Sequence, residues 1–428
     1  MLHLSALPVW SMKGKGGMPS LRETVAGHLR AGHNIHLILP QYNLFSDDLT
    51  PLTVRRDQGY TINVAACKWL PWIKRLRKGV RTLSGGTSVP YPARWLLNVT
   101  MLLCLTFSLY REAFRVYRKG FVPDLIYVHN QYAALAGFLL RIVWSKPNVT
   151  RLYGTFLADL MNKPFVTLRY PTAAAGYIVP STLLICANDG TRGDDVARKF
   201  KLPEKRFRFW QNGVTPPSIH TQVNRRDLAD RFGADLRVDS KWIISCSRLS
   251  YWKRIDRMIR ALCVCKDKKI NCQLLIAGDG SELPRLKSLT DELGVSKDVA
   301  WLGALAHDDI WSLMKAADIF MITNDVTNRC NPLYEAAWAG LPVVSVYDPS
   351  TDDLLQHRGN ALLANKEDFT SLGENLAELC NNTALAHRLK DGQQKLAESF
   401  WTWEERMRTE VAELEKIVEH DKLNLMKQ

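Results

Sequence analysis

The residues best suited to chemistry lie in Asn331-Pro332-Leu333-Tyr334-Glu335-Ala336-Ala337-Trp338-Ala339-Gly340-Leu341-Pro342-Val343-Val344. Asn is a good helix N-cap and Pro a good first helical residue, so a helix is expected to start at this pair and stop at Gly340, with a buried strand behind it. The unpaired N–H groups and positive dipole end of such a helix suit phosphate, and Asn331 and Leu333 sit on that first turn. Glu335, one turn further, is placed to accept hydrogen bonds from the vicinal hydroxyls of a ribose. The same spacing also fits a capped core helix carrying a surface glutamate.

A second cluster, Ser245-Cys-Ser-Arg248-Leu-Ser-Tyr-Trp-Lys253, begins at the end of an apolar strand-length run. Open α/β sheets bind ligands beyond such strand ends. Arg248 offers a fork to phosphate oxygens and Lys253 a point charge, although each also fits a solvated surface cation. Gly14-Lys-Gly16-Gly17 follows the first apolar run, and its lack of side chains would let backbone approach a ligand. It matches neither of the standard phosphate-loop patterns, and a plain turn reads equally well. His129 closes the run Asp124-Leu-Ile-Tyr-Val-His129, where it is either a hydroxyl-orienting group or a satisfied structural histidine.

The elements around these residues alternate strand-length apolar runs with helical periodicity, which predicts an α/β protein with parallel sheets. Strands are expected at Asn34–Leu39, Asp124–His129, Val149–Tyr153, Thr182–Cys186 and Arg206–Gln211. A second series is expected at Trp242–Ser247, Gln273–Ala277, Val299–Leu302, Ile319–Ile322 and Pro342–Val346. The Asn-Gly and Pro-Pro chemistry of Gln211–Pro217 separates the two series. Domains are therefore expected at 1–215 and 216–398, with a terminal helix over 399–428 packing back on the first.

Nine cysteines, odd in number and without a Cys-x-x-Cys pair, predict neither disulfides nor zinc, and a reducing compartment. The apolar start reads as a first strand rather than a secretory signal. Residues 1–200 hold 25 Lys+Arg against 10 Asp+Glu, leaving 32 against 33 in residues 201–428. A basic first half wants an anionic partner, and no zinc-finger, RNP or basic-zipper pattern points to nucleic acid. Lys68-Trp69-Leu-Pro-Trp72-Ile-Lys74-Arg75-Leu-Arg77-Lys78 interleaves cations and tryptophans, a composition suited to an anionic membrane surface or a solvated loop. Trp95–Tyr110 is apolar but shorter than the roughly 20 residues of a spanning helix, and a buried domain helix is expected there.

Arg248…Lys253, Gly278-Asp279-Gly280, Trp301-Leu302-Gly303 and Glu335-Ala-Ala-Trp-Ala-Gly-Leu-Pro-Val-Val together resemble retaining glycosyltransferase family 4. That resemblance implies a GT-B fold, two Rossmann-like domains whose parallel sheets face each other across a cleft. It implies that Arg248 and Lys253 hold the donor diphosphate and stabilise the leaving group, and that Glu335 holds the ribose. The Leu302–Gly303 backbone would take the base, and Gly16 and Gly17 the phosphates and acceptor. Asp124–His129 resembles the family's Asp-x-x-His-x-His strand end, with Tyr127 in place of the first His, and makes His129 a candidate catalytic residue. Two departures follow: Thr327 stands where the family has a sugar-contacting glutamate, with Asn328, Arg329 and Cys330 in place of its Gly-rich turn, and Tyr153 stands where it often has a histidine. Tyr153, Thr327 and Asn328 become candidate sugar or acceptor contacts.

The implied activity is transfer of a sugar from a nucleoside-diphosphate donor to a saccharide or lipid-linked glycan, in cell-envelope polysaccharide synthesis at the cytoplasmic face of a membrane. No Asp-x-Asp motif occurs, so neither a metal nor another cofactor is expected. A non-catalytic membrane-associated GT-B protein, or an epimerase or phosphorylase on the same fold, remain the alternatives.

Overall fold

The computed structural model describes residues 1–6, 19–40, 56–57, 60–67, 69–83, 91–214, 223–233, 236–327 and 329–426. The chain divides into two compact units, Met1–Gly213 with Trp403–Gln428, and Val214–Thr402. The crossings fall at 213/214 and 402/403, against boundaries expected at 215 and 398. The segment before the terminal helix stays with the second unit because the Phe400 ring meets Tyr334 edge-on at 4.6 Å and Trp338 at 6.1 Å.

The first domain contains β1 (Leu2–Ser5), β2 (Ile35–Pro40), β3 (Arg56–Asp57), β4 (Tyr60–Ala65), β5 (Ile126–His129), β6 (Asn148–Leu152), β7 (Leu183–Ala187) and β8 (Phe207–Trp210). Their order is β3-β4-β2-β1-β5-β6-β7-β8, parallel except for the β3 edge. Every residue of β1 and β5 is buried, the polar His3, Ser5 and His129 included, as in a parallel sheet covered on both faces. The helix Trp403–Met426 closes one side, with Leu414 packed among Leu125, Tyr127, Val149, Leu183 and Ile185.

In the second domain β9 (Lys241–Cys246), β10 (Cys272–Ala277), β11 (Val299–Gly303), β12 (Ile319–Ile322), β13 (Val343–Val346) and β14 (Ala361–Ala364) form an all-parallel sheet in the order β11-β10-β9-β12-β13-β14. One face packs on helices Ile255–Asp267 and Phe369–Asn381 through Met258, Ile259, Leu262, Leu372 and Leu376. The other packs on His307–Ala316 and Asn331–Ala339 through Leu313, Met314, Leu333, Ala336 and Ala337. The strand order reverses between β9 and β12. Parallel sheets of this kind place ligands at that reversal, beyond the carboxyl ends of the strands.

One expectation needs correction. The apolar stretch around Trp95–Tyr110 belongs to a 28-residue helix, Tyr91–Arg118, long and apolar enough to cross a membrane by length and composition. No breaker follows Tyr110, and Glu112 pairs with Arg115 at 2.6 Å, so the helix runs on into its charged end. Its buried stripe is Leu102, Leu105, Leu109, Ala113 and Val116, while Leu96, Leu103 and Phe107 are exposed on another face.

Candidate active site at the reversal of the second sheet

Three loops leave the carboxyl ends of β9, β10 and β11 side by side. Ser247 N–H donates to Ala277 O (3.1 Å), Leu249 N–H to Asp279 O (2.9 Å) and Gly278 N–H to Gly303 O (2.7 Å). This approach requires glycine. A Cβ on Gly278, whose φ is +152°, would lie 1.8 Å from Ser247 O, and one on Gly280 would lie 2.2 Å from Leu249 O. The loop after β12 is tied to the loop after β9, because Asp325 N–H donates to Trp252 O (3.0 Å) and Thr323 Oγ1 to Arg254 O (2.8 Å).

Arg248 and Lys253 both emerge here, in different environments. Arg248 is exposed and forms no ion pair among the described residues. Lys253 ends the short 3₁₀ turn Tyr251–Lys253 and is only 8% exposed. Its ammonium sits 4.0 Å from the centre of the Trp252 ring. With the Asn324 amide oriented to satisfy both its groups, Lys253 Nζ donates to the Asn324 oxygen at 3.1 Å and the amide nitrogen donates to Lys253 O at 3.2 Å. Burial, reinforced by the Arg248 charge, lowers the Lys253 pKa. No carboxylate pairs with it among the described residues, so its partners are neutral. The neighbouring Arg254 and Arg257 differ: they are taken up by Asp256, Asp325 and Glu367. A buried, unpaired ammonium is costly unless an anion joins it.

The helix Asn331–Ala339 points its start at the same loops, with one correction to its cap. Cys330, not Asn331, is the N-cap residue and makes no side-chain cap bond; Asn331 is already helical, with Pro332 behind it. Leu333 N–H closes on Cys330 O at 3.0 Å and Pro332 has no N–H, so Asn331 is the one of these three residues whose amide is left for a ligand. Gly340, at φ +68°, ends the helix as expected from its type.

Glu335 is buried rather than a surface carboxylate, and its Oε1 accepts from His307 Nε2 at 3.0 Å. His307 opens the helix after β11, and this hydrogen bond, then burial in the opposite sense, sets a His307 pKa raised overall above its ordinary value. Sequence reasoning did not find His307. Nothing in a lone histidine 28 positions from Glu335 signals the pairing.

Leu302 and Gly303 end β11, and Gly303, at φ +68°, has open space where a Cβ would stand. Thr327 is buried; its N–H donates to Asp348 Oδ2 at 2.5 Å and its hydroxyl has no protein partner. The Ser247 and Ser250 hydroxyls, in the loop after β9, are likewise unpartnered. The structure thus brings Arg248, Lys253, Leu302, Gly303, Thr327, Asn331, Leu333 and Glu335 to the carboxyl end of one sheet. Gly16, Gly17 and Asn328 lie outside the described residues.

His129 and Tyr153 belong to the first domain and to a different kind of cluster. His129 is fully buried, with Nε2 3.0 Å from His3 Nδ1 and Nδ1 2.7 Å from the Tyr153 hydroxyl. Both ring nitrogens are occupied. Burial, reinforced by Arg151, holds its pKa well below the ordinary histidine range, and burial pushes Tyr153 up to about 12. His129 is thus tied into a buried network with His3 and Tyr153.

A family profile described as glycosyl transferases group 1 matches residues 228–396. That match lies within the second domain, which is similar to the glycosyl transferases group 1. The chain is 21% identical to an alpha-monoglucosyldiacylglycerol synthase of Acholeplasma laidlawii, over 79% of this chain and 78% of that protein. It is 25% identical to a GDP-mannose-dependent alpha-(1-6)-phosphatidylinositol monomannoside mannosyltransferase of Mycobacterium tuberculosis, over 44% of this chain and 52% of that protein. The matched stretch spans only about half the length of several curated relatives, 54% in one case and 52% in another. Among solved structures, the Anabaena protein HepE in complex with UDP superposes with a TM-score of 0.64 at 19% identity, covering 97% of this chain and 99% of that one. The fold is GT-B, built of two Rossmann-like domains.

Proposed function

We propose that this chain is a retaining glycosyltransferase of family 4 that moves a sugar from a nucleoside-diphosphate donor to a saccharide or lipid-linked glycan, in envelope polysaccharide synthesis. The observation that carries the reading is the buried Lys253 ammonium with only neutral partners, beside an exposed and unpaired Arg248. A diphosphate supplies the missing anion. In the reaction the bond from sugar C1 to the β-phosphate oxygen breaks, the acceptor hydroxyl oxygen bonds to C1, and its proton ends on the leaving diphosphate. Lys253, Arg248 and the Asn331 amide stabilise the charge that grows on that phosphate, while Glu335 holds the ribose. These groups supply positive charge without a metal ion. The two relatives above, one named for synthesis of a monoglucosyldiacylglycerol and the other as a phosphatidylinositol monomannoside mannosyltransferase, support a lipid-linked acceptor.

The acceptor side of this reading includes an anionic membrane surface at the cytoplasmic face. Trp69, Trp72 and Leu76 are exposed at and along helix Leu70–Leu83, with Arg75, Arg77 and Lys78 beside them and Lys74 on the same helix. Leu96, Leu103 and Phe107 extend the apolar surface along Tyr91–Arg118, and Trp95 Nε1 donates to Leu168 O at 2.6 Å, joining exposed Leu168 and Phe165 to it. Tryptophan and cations around an apolar stripe suit a lipid interface.

The test is a panel of nucleotide sugars screened by thermal shift, followed by mass spectrometry of products with a lipid-linked or free oligosaccharide acceptor, with and without excess EDTA. Transfer that survives EDTA is expected. Binding with neither transfer nor donor hydrolysis would favour the non-catalytic reading that Thr327 motivates, and a complete loss restored by Mg²⁺ would overturn metal independence.

A further inference from the structure

Glu335 is held by one side chain only. Among the described residues its sole hydrogen-bonding or ionic partner is His307, whose Nε2 lies 3.0 Å from Oε1. The carboxylate side chain is 12% exposed and the imidazole 61%, so the histidine stands on the solvent side of a nearly buried acid. Behind the acid lie the Cys246 and Cys330 thiols, both within its electrostatic reach and both raised in pKa, chiefly by burial. Neither offers it a positive charge. His307 comes from a different element, the start of the helix that follows Gly303, and it reaches across to the helix Asn331–Ala339.

We infer that His307 is a positioning residue for nucleotide recognition: by occupying Oε1 it fixes the carboxylate so that Oε2 faces the ribose hydroxyls of the donor. The inference rests on the reading of Glu335 as the ribose ligand. A carboxylate free to rotate would lose part of its hydrogen bonding to a vicinal diol in ordering itself, whereas one already held by a histidine would not. The diphosphate, by contrast, is held by Lys253 and Arg248 and does not depend on His307. His307 therefore separates ribose recognition from phosphate recognition within one site.

The experiment is calorimetric titration of the full chain and its His307→Ala, His307→Gln, Glu335→Gln and Lys253→Ala variants with UDP and GDP, with dUDP and dGDP, and with inorganic pyrophosphate. For whichever ribonucleotide the wild type binds, His307→Ala is expected to weaken binding about tenfold, the scale of one hydrogen bond to a charged group. The same variant should leave the 2′-deoxy nucleotide and pyrophosphate nearly unchanged, and His307→Gln, which keeps a donor, should restore most of the loss. Equal weakening of ribo and deoxy ligands, or no weakening, overturns the inference. If Glu335→Gln also weakens ribo and deoxy ligands equally, or weakens neither, the ribose reading of Glu335 fails with it. If Glu335→Gln is ribose-selective and His307→Ala is not, only the role of His307 fails. Lys253→Ala should weaken every ligand, which shows separately that the phosphate site is intact.

Discussion

The two sheets have the same order reversal and treat charge at it in opposite ways. In the second domain Lys253 is buried among neutral partners and Arg248 is exposed, and among the described residues the chain supplies neither with a counter-charge. In the first domain the buried polar groups on β1, β5 and β6 are joined to one another and to the terminal helix. Tyr127 donates to Glu410 Oε1 at 2.6 Å; Arg151 reaches Glu410 at 3.2 Å, Thr24 at 2.6 Å and Asn212 at 3.0 Å; Arg406 reaches Glu410 at 2.7 Å. Burial alone would raise the Glu410 pKa, but Arg406 and Arg151 outweigh it and hold the carboxylate well below its usual range. Residue type at a strand end therefore does not distinguish a ligand site from a structural lock. Whether a counter-charge is supplied by the chain does.

The contrast breaks most visibly at Glu410. Glu410→Ala would leave Arg151 and Arg406 buried without their shared anion, a loss of about 3–5 kcal/mol of unfolding free energy. Chemical denaturation should show it with little change in nucleotide affinity. A loss under about 1 kcal/mol would mean that the lock is not built on this charge.

Acid sharpens the same contrast. His3 and His129 are kept neutral, first by burial, with pKa values well below the ordinary 6.5. Their folded values are depressed, so their contribution is fully present above pH 6.5 and is lost as pH falls, when the unfolded chain takes up protons that the folded one refuses. Glu410 adds a further loss below its ordinary 4.5. His307 runs the other way: its value is raised by Glu335, so its small contribution is present below pH 6.5 and fades as pH rises through the raised value. Denaturant midpoints measured from pH 7.5 down to 5 should fall steadily. A midpoint that rises on acidification would contradict the assignment of neutral, buried histidines.

The smallest expected effect is at the membrane, where each cation near an anionic surface is worth about 1 kcal/mol and is screened by salt. Changing Lys74, Arg75, Arg77 and Lys78 to Gln should remove most flotation with anionic vesicles and leave nucleotide binding unchanged. Equal flotation with neutral vesicles would contradict the anionic-surface account, and no flotation with either would leave a soluble acceptor as the better account of the basic half. Resistance to salt and to alkaline extraction would instead assign insertion to Tyr91–Arg118.

The pattern of the sequence made most of the strands legible: each expected strand is present within one or two residues, although β6 and β8 carry polar residues and β3 and β4 were not expected. The helix after Cys330 was legible from Pro332 and Gly340, but its cap was not, since Asn331 and Cys330 differ only in which has helical backbone. β14 was missed because Ala361–Ala364 is four small or aliphatic residues between polar turns, too short to carry a period. What no local pattern holds is charge compensation. Tyr127 and Glu410 are 283 positions apart, Arg151 and Glu410 are 259 apart, and the Asn324 that receives Lys253 has no sequence mark distinguishing it from any other Asn. The candidate list therefore contained His129, which the fold uses internally, and lacked His307.

The account turns on Arg248 and Lys253, two cations of the second domain with no ion-pair partner among the described residues. Its most direct test is single-turnover sugar transfer, or donor hydrolysis, by Arg248→Ala and Lys253→Ala with thermal midpoints close to that of the wild type. Each variant should lose on the order of 10²–10³ in rate, as removal of a single transition-state charge stabiliser does. Near-normal rates in both variants would contradict the assignment of this crevice as the donor site.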